Sequence, residues 1–385
     1  MIAYLDNSAT TKVLDSVKDI MIKVMNEDFG NPSSLHLKGV DAEKYIKDAK
    51  ENIAKILKVK EGEIFFTSGG TESNNMALIG FAMANKRAGN HIITSGIEHA
   101  SILNTAKFLE EQGFRVSYIP VDKDGVIDMD KLKAEVCEDT ILVSVMHVNN
   151  EIGSIQPIEE IVKVVKAKNS NVKVHVDAIQ SFGKLTIQPK KIGVDMLSVS
   201  GHKIHGPKGS GFLYIAEGVK VKPILIGGGQ EKGMRSGTQN VPAIAGLGVA
   251  AKENYSDFAG KQAKMIELKD YFIDRVSNIP NVKINSKKGM EGAPHIISVS
   301  FIGVRSEVML HTLEEYDIFI SAGSACSSNK KAHVSDTLKG IGLSNEELDS
   351  TVRFSLSYLS TKEEVDYCID TIEKNIEMLR KYVRK

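Results

Sequence analysis

The strongest constraint on the fold is a series of short apolar runs, separated by amphipathic helical stretches, between about residues 63 and 215. Such short runs, flanked by turn residues, are typical of strands that are buried on both faces. The runs cover residues 63–67, 91–94, 116–119, 141–146, 172–176, 196–199 and 211–215. Strands that alternate with helices predict an α/β fold, with a mostly parallel seven-stranded sheet between two layers of helices.

The pattern changes after residue 238, which predicts a second, smaller α+β domain. A helical tract runs from about Val241 towards Ser277 and is expected to break near Gly260. Strands are predicted at 282–284, 296–301 and 352–356, and helices near 306–316 and from 362 onwards. The first dozen residues are too few for a domain of their own. We therefore expect a large domain over 13–255 and a small domain formed by 1–12 and 256–385.

Composition narrows the classes of function. Lysine plus arginine equal aspartate plus glutamate, 49 against 49, so no basic field favours direct nucleic-acid binding. No apolar run is long enough to predict a bilayer span. The three cysteines, Cys137, Cys326 and Cys368, are widely spaced and odd in number, which favours a reducing compartment and a cytoplasmic enzyme. The histidines and cysteines lack metal-ligand spacing, so no metal site is expected.

Polar residues follow five of the predicted strands directly. They are Gly70 and Thr71, His99, Asn149 and Asn150, Asp177 and Gln180, and the stretch from Ser200 to Lys203. The carboxyl ends of strands in such a sheet meet at one edge, where ligands bind. The sequence therefore predicts that these residues share one site.

The residue types at these positions fit pyridoxal 5'-phosphate (PLP). Lys203, at a strand exit, can form a Schiff base with a carbonyl cofactor. Asp177 ends a strand and can keep a pyridine nitrogen protonated, and Gln180 lies one turn further on. Gly69 and Gly70 precede a helix whose N-terminus suits a phosphate.

Each of these positions has a simpler interpretation. The glycine pair can be a tight strand-to-helix turn capped by Thr71 or Ser73, and His99 can be an ordinary helix-start residue. Asp177 alone can be a solvent-facing aspartate at a strand end. The glycine pattern is neither a P-loop nor a dinucleotide fingerprint, which disfavours nucleotide binding.

Cys326 lies in a run of small residues from Ser321 to Ser328. Such a run cannot supply a core face, so it predicts an open loop that presents a thiol. Cys137 and Cys368 lie in helix-like or apolar contexts and are expected to be small buried side chains. An exposed thiol together with a Schiff-base lysine suggests sulfur chemistry on an amino acid.

The chain resembles the PLP-dependent cysteine desulfurases of the NifS/IscS type, in the class V aminotransferase group. The resemblance covers nearly the whole chain. It is carried by motifs at residues 4–11, 29–34, 70–75, 98–99, 148–153, 175–181, 200–209, 235–238, 324–326 and 353–355.

The resemblance implies the fold type I of PLP-dependent transferases and a role for each motif residue. Lys203 would carry PLP and move protons, His99 would stack on the ring, and Asn150 would contact cofactor or substrate. Asp177 would pair with the pyridine nitrogen and Gln180 with the phenolic oxygen. The phosphate would be held by Gly70, Thr71, Ser200 and His202, and by Thr238 of a neighbouring subunit in a homodimer. Arg353 would bind the substrate carboxylate.

The implied reaction converts L-cysteine to L-alanine and leaves a persulfide on Cys326. The sulfur would pass to an acceptor protein, either an iron–sulfur scaffold or a thiolation enzyme for tRNA or a cofactor. A selenocysteine lyase or another class V PLP enzyme is the alternative within the fold, and a non-catalytic scaffold is the alternative outside it. Cys326 disfavours an aminotransferase, and the presence of Lys203, Asp177 and His99 disfavours a scaffold.

Overall fold

The computed structural model describes residues 1–322 and 335–381. Its strands are β1 (Ala3–Tyr4), β2 (Ile64–Thr67), β3 (His91–Ser95), β4 (Arg115–Ile119), β5 (Thr140–Met146), β6 (Lys173–Asp177), β7 (Met196–Ser200), β8 (Gly211–Ile215), β9 (Val282–Ile284), β10 (Ile296–Phe301), β11 (Ile318–Phe319), β12 (Ser321–Ala322) and β13 (Thr351–Ser355).

The helices surround these strands and are mostly amphipathic. They are α1 (Asp15–Asn26), α2 (Leu37–Leu57), α3 (Gly70–Asn75), α4 (Phe81–Asn85), α5 (Ala100–Glu111), α6 (Met129–Glu135), α7 (Ile158–Lys168), α8 (Pro189–Ile192), α9 (Val241–Tyr255), α10 (Phe258–Val276), α11 (Ser306–Glu314), α12 (Asp336–Gly340), α13 (Asn345–Asp349) and α14 (Lys362–Arg380). A π-helical segment, Met76–Gly80, joins α3 to α4 without a break. No helix among the described residues is both long enough and apolar enough to cross a bilayer.

The large sheet has the strand order β2-β8-β7-β6-β5-β3-β4. Its strands pair in parallel except β8, which is antiparallel to β2 and β7. The reversal follows from the connection after β7, because the short link over residues 201–210 leaves no room for a helical crossover. The predicted α/β fold with a mostly parallel seven-stranded sheet is confirmed.

Successive residues of the central strands enter two different cores, one on each face of the large sheet. Ile93, Val143 and Leu197 pack with α1, α2, α7 and α9 on one face. The preceding residue of each strand, such as Ile92 or Leu142, packs with the π-helical segment, α4 and α5 on the other face. This alternation is what a pleated strand imposes, and it explains why the strands read as continuous apolar runs.

A four-stranded antiparallel sheet of order β12-β13-β10-β9 forms the centre of the smaller unit. Its core contains Phe272, Phe301 and Phe354 together with Ala3 and Leu5 from the N-terminal segment. β1 pairs in parallel with β11, so the first residues of the chain lie against this unit. The residue boundaries of the two domains stay a prediction.

The break in the long helical tract differs from the predicted one. α9 ends at Tyr255 and α10 begins at Phe258, whereas Gly260 lies inside α10. Asp257 adopts a left-handed backbone conformation, with φ of 46°. Aspartate tolerates this conformation better than most residues, so the chain turns there rather than at the glycine.

Candidate active site

The predicted polar cluster forms at the carboxyl edge of the large sheet. Gly70 begins α3 directly after β2, and His99 is the N-cap of α5 after β3. Asp177 and Ser200 are the last residues of β6 and β7. A 3-10 turn, Gly201–Lys203, then brings Lys203 to the same edge. β6 and β7 are neighbours in the sheet, so their end residues lie side by side.

Asp177 is a buried carboxylate with a hydrogen bond on each oxygen. Its Oδ1 accepts from the backbone N–H of Ile179 at 3.0 Å, and its Oδ2 accepts from Asn74 Nδ2 at 2.8 Å. Burial raises the pKa of Asp177, while these two donors and the charges of His99 and Lys203 act in the opposite direction. The two N–H donors thus help to hold the carboxylate ionised inside the protein.

His99 lies on the wall of an open cavity of about 570 Å³ that Thr71 and Ser101 also line. Its Nδ1 accepts from the backbone N–H of Ser101 at 3.1 Å and lies 2.9 Å from the Ser101 hydroxyl. Solvent reaches the ring through the cavity, yet desolvation by the surrounding protein lowers the pKa of His99. The lowered pKa favours a neutral imidazole at neutral pH.

Lys203 is held by the N-terminal segment of the chain. Its Nζ donates to the carbonyl oxygens of Ser8 and Ala9, the second at 2.8 Å. Lys203 follows β7, the neighbour of the strand that ends in Asp177, and its charge contributes to the pKa shifts of both His99 and Asp177. A second lysine, Lys184, is buried and donates from Nζ to the backbone oxygen of Lys203 at 2.8 Å.

The N-terminal segment forms one wall of the site. Ser8 O also accepts from Gln180 Nε2 at 2.9 Å, and the Gln180 Oε1 lies 3.2 Å from His295 Nε2. Thr10 Oγ1 lies 3.2 Å from His202 Nδ1. The sequence marked this segment only through the family resemblance, because backbone carbonyl groups carry no signal in residue types.

Gly70, at the start of α3, packs closely against the residues after β6. A Cβ on Gly70 would lie 2.1 Å from Cδ1 of Ile179 and 3.6 Å from Cβ of Ser200. Gly69 has a φ of +149°, which favours glycine. Burial and the charges of Lys203 and Lys208 lower the pKa of His202 to about 4. The same positive field favours an anion at this place.

Arg353 projects from β13 of the smaller unit and joins three parts of the chain. Its Nη1 donates to Asn150 O at 2.8 Å, and its Nη2 donates to Asp6 Oδ1 and Ser321 Oγ, each at 2.9 Å. The guanidinium Nε is buried and has no hydrogen-bond partner among the described residues. Arg353 therefore retains a donor for an additional acceptor, such as a carboxylate.

Two predicted site residues stand apart from this cluster. Thr238 is exposed on the connection before α9 and stays a prediction as a residue that acts on a partner subunit. Cys326 lies outside the described residues, so the structure places neither its thiol nor its neighbours.

The other two cysteines differ from each other. Cys368 is fully buried in the core of the smaller unit, as expected. The expectation of a buried Cys137 is wrong, because this thiol is exposed and Arg115 Nη2 donates to its Sγ at 3.3 Å. The residue follows α6 in a short link to β5, so the apolar neighbours in the sequence pack inward while the thiol does not.

Sequence reasoning missed several residues that position the site. Asn74 and Ser101 connect Asp177 to His99, Lys184 supports Lys203, and Asp6 holds Arg353. Asn74 and Asp6 lie in motifs that carry the resemblance, but polar residues at these positions give no pairing information on their own.

The residues present fit PLP on their own chemistry. The helix start at Gly70 and the positive field at His202 suit a phosphate, and the buried carboxylate of Asp177 suits a protonated ring nitrogen. Lys203 follows β7, the strand beside the one that ends in Asp177, so its amine is available at the same edge of the sheet for a Schiff base with the cofactor.

The fold and the site define a member of a known enzyme class. The sequence model of the aminotransferase class-V family matches residues 3–368, and the chain belongs to this family. Within it the chain is of the IscS/NifS cysteine desulfurase type.

Curated relatives support this placement. The chain is 43% identical to cysteine desulfurase IscS 1 of Archaeoglobus fulgidus, over 98% of its own length and 97% of that protein. It is 42% identical to cysteine desulfurase IscS of Methanosarcina thermophila, over 98% and 92%.

Solved structures agree. A NifS-like protein superposes with a TM-score of 0.92 at 39% identity, over 98% of this chain and 100% of the other. The structure described as SspA in complex with cysteine superposes with a TM-score of 0.81 at 36% identity, over 93% and 100%. The fold type I of PLP-dependent transferases is confirmed.

Proposed function

We propose that this protein is a PLP-dependent cysteine desulfurase that converts L-cysteine to L-alanine and receives the sulfur on Cys326. The observation that carries the proposal is the convergence of Asp177, His99 and Lys203 at one edge of the large sheet. Full-length relatives named as cysteine desulfurases support the same reaction.

When bound, PLP supplies a pyridine ring that withdraws electrons from the α-carbon of an amino acid. Lys203 would hold it covalently, Asp177 would keep its ring nitrogen protonated, and His99 would lie against the ring. Gln180 would donate to the phenolic oxygen through the second hydrogen of its amide nitrogen. The phosphate would be held by Gly70, Thr71, Ser200 and His202.

Arg353 would bind and orient the substrate carboxylate. Its Nε, which has no hydrogen-bond partner within residues 1–322 and 335–381, is a donor of fixed direction, because Asp6 and the Asn150 carbonyl already hold the two Nη atoms. A charge-assisted bond from a guanidinium held in this way fixes the orientation of the α-carbon as well as adding affinity. Asn150, whose backbone oxygen accepts from the same guanidinium, would lie beside the substrate.

Lys203 would move the proton of the substrate α-carbon, since it follows the strand next to the one that ends in Asp177 and would hold the cofactor there. The Cys326 thiolate would then attack the substrate sulfur. The carbon–sulfur bond breaks, its electron pair stays with the carbon and takes up a proton, and the sulfur remains on Cys326 as a persulfide. L-Alanine is the product that leaves.

The partners follow from this chemistry. A persulfide is useful only if a second thiol receives the sulfur, so we propose an acceptor protein, either an iron–sulfur scaffold or a thiolation enzyme. A homodimer in which Thr238 contacts the partner's cofactor phosphate, and a cytoplasmic location, belong to the same proposal.

The proposal is tested by locating the cofactor and measuring the product together. The parent protein should release alanine from L-cysteine, and borohydride reduction followed by peptide mapping should place the pyridoxyl group on Lys203. Lys203→Ala should abolish alanine release and the pyridoxyl label at this position. Lys208→Ala, at an exposed lysine, should keep the pyridoxyl group on Lys203. A pyridoxyl group on Lys208 or on another lysine would overturn the assignment.

A further inference from the structure

We propose that Asn74 and Ser101 are positioning residues that fix the protonation pattern of the site. They hold His99 as the tautomer protonated at Nε2, and they hold Asp177 as a carboxylate. The inference rests on the proposed function, because it assigns how the two groups that would contact PLP are prepared.

Asn74 is fully buried, and its amide nitrogen joins the two halves of the network. Nδ2 donates to Asp177 Oδ2 at 2.8 Å and to Ser101 Oγ at 2.9 Å. An amide nitrogen carries two hydrogens, so both are used. The Asn74 Oδ1 is buried without a hydrogen-bond partner among the described residues.

The carboxylate of Asp177 decides the orientation of this amide. A flipped Asn74 would turn Oδ1 towards Asp177 Oδ2, and two acceptors at this distance in a buried place repel each other. The observed orientation leaves Oδ1 without a hydrogen bond, which costs free energy. A hydrogen bond from Nδ2 to an ionised carboxylate is strong enough to offset that cost. Asn74 and an ionised Asp177 therefore stabilise each other.

Ser101 determines which ring nitrogen of His99 carries the proton. A hydroxyl has one hydrogen. The Ser101 Oγ accepts from Asn74, and because the Ser101 backbone N–H requires His99 Nδ1 to be an acceptor, the hydroxyl hydrogen is directed to that nitrogen at 2.9 Å. The backbone N–H of Ser101 donates to the same Nδ1 at 3.1 Å. Two donors at Nδ1 exclude a proton there, so the neutral ring carries its proton on Nε2.

The tautomer matters for what His99 can do. With Nδ1 occupied by two donors, Nε2–H is the polar group that the ring can offer to a ligand. Three charged or titratable groups surround His99 and Ser101. Lys203 disfavours an imidazolium at His99, Asp177 favours it, and the third group is the buried Glu98. Like Lys203, the two donors at Nδ1 disfavour the imidazolium, because its Nδ1 proton would point at their hydrogens.

The tautomer can be read directly from ¹⁵N NMR of the holoenzyme labelled in its histidine rings, with the His99 signals assigned by a His99→Gln variant. The parent should show Nδ1 unprotonated and Nε2 protonated. Ser101→Ala removes one of the two donors, so it should raise the pKa of His99 and admit some of the other tautomer. Ser101→Thr keeps a hydroxyl and should restore the parental spectrum.

Asn74→Leu removes both bonds at similar side-chain size. It should weaken PLP affinity about tenfold or more, because Asp177 loses a charge-assisted hydrogen bond. Asn74→Leu should also change the His99 signals. The double variant Asn74→Leu/Ser101→Ala should show nearly the same His99 signals as Ser101→Ala alone, because both substitutions act on His99 through Ser101. Asn85→Leu is the matched control, because Asn85 Nδ2 donates to two backbone oxygens, Phe81 O and Lys220 O, away from the site.

A parent in which His99 carries its proton on Nδ1 would overturn the proposal, whether or not any variant folds. Ser101→Ala and Asn74→Leu proteins with parental His99 signals and parental PLP affinity would overturn it as well. These outcomes are distinct from failure of the proposed function, which is measured by alanine release from L-cysteine in the parent.

Discussion

Lys184 is a buried lysine whose ammonium group lies against the main chain of Lys203. Burial and, to a smaller extent, the nearby charge of Lys203 together lower the pKa of Lys184 to about 7. In the unfolded chain the pKa returns to its usual value of about 10.4. Between these two values the unfolded chain holds a proton that the folded chain lacks, so this residue makes stability rise as pH rises.

We therefore expect Lys184→Met to stabilise the fold near pH 7, and this gain to decrease as pH rises towards 10. The difference in unfolding free energy between variant and parent, measured by urea denaturation across this range, checks the expectation. Lys191→Met, at an exposed lysine, should show no such trend. A Lys184→Met difference that is independent of pH would contradict the burial of a charge at this place.

At the residue scale the sequence predicted the groups that follow strands and missed those that support them. Asp177, His99 and Lys203 were predictable because strand ends in a parallel sheet meet at one edge. Asn74, Ser101 and Lys184 were not, because their roles depend on which way a side chain points across a gap between elements. The prediction of a buried Cys137 was wrong for the same reason, since apolar neighbours in the sequence do not fix the direction of the thiol.

The packing of α2 against α9 is an element-scale feature that depends on a glycine. A Cβ on Gly248 would lie 2.7 Å from Ala49 Cβ and 2.8 Å from Ala49 Cα, and these atoms cannot rotate away. A Cβ on Gly246, on the same helix, would meet Met21 Cγ and Val17 Cγ1, each at 3.1 Å. Met21 is flexible and can adjust.

We expect Gly248→Ala to destabilise the protein by about 1–3 kcal/mol, because the two helices are forced apart. Gly246→Ala should be close to neutral, since alanine's better helix propensity, worth up to about 1 kcal/mol, offsets a small adjustment of Met21. Thermal unfolding of the two variants beside the parent measures the contrast. Equal Tm values for the two variants would contradict the helix contact described.

Elements were the most predictable level of this protein. The seven strands of the large sheet were predicted because buried parallel strands leave continuous apolar runs. The break between α9 and α10 was predicted near Gly260 and occurs a few residues earlier, at Asp257, because backbone propensity alone does not locate a turn that tertiary packing selects. The reversal of β8 depends on the length of one connection rather than on its residues.

At the scale of the whole molecule the proposed dimer makes a prediction about complementation. If Thr238 acts on the partner's cofactor, Thr238→Ala should weaken PLP retention about tenfold or more, the effect of one lost hydrogen bond to a charged group. A mixed dimer of Thr238→Ala and Lys203→Ala chains should nevertheless contain one intact site. Its Thr238→Ala subunit keeps Lys203 and receives Thr238 from the other chain.

PLP retention and alanine release by purified mixed dimers check this arrangement. One site per mixed dimer with parental PLP affinity supports action across the interface. If Thr238 acted within its own chain, the mixed dimer would hold PLP as weakly as the Thr238→Ala homodimer.

The proposed reaction depends on transfer of the substrate sulfur to Cys326. This transfer is measured most directly by following alanine release and persulfide mass together in three serine variants. Cys326→Ser should bind PLP and respond spectrally to L-cysteine like the parent, because those steps need Lys203, Asp177 and Arg353. It should yield no persulfide and almost no alanine, since a serine hydroxyl stays protonated at neutral pH and attacks sulfur poorly. Cys137→Ser and Cys368→Ser should behave like the parent. Alanine release at the parental rate by Cys326→Ser would contradict the account and place the sulfur acceptor elsewhere.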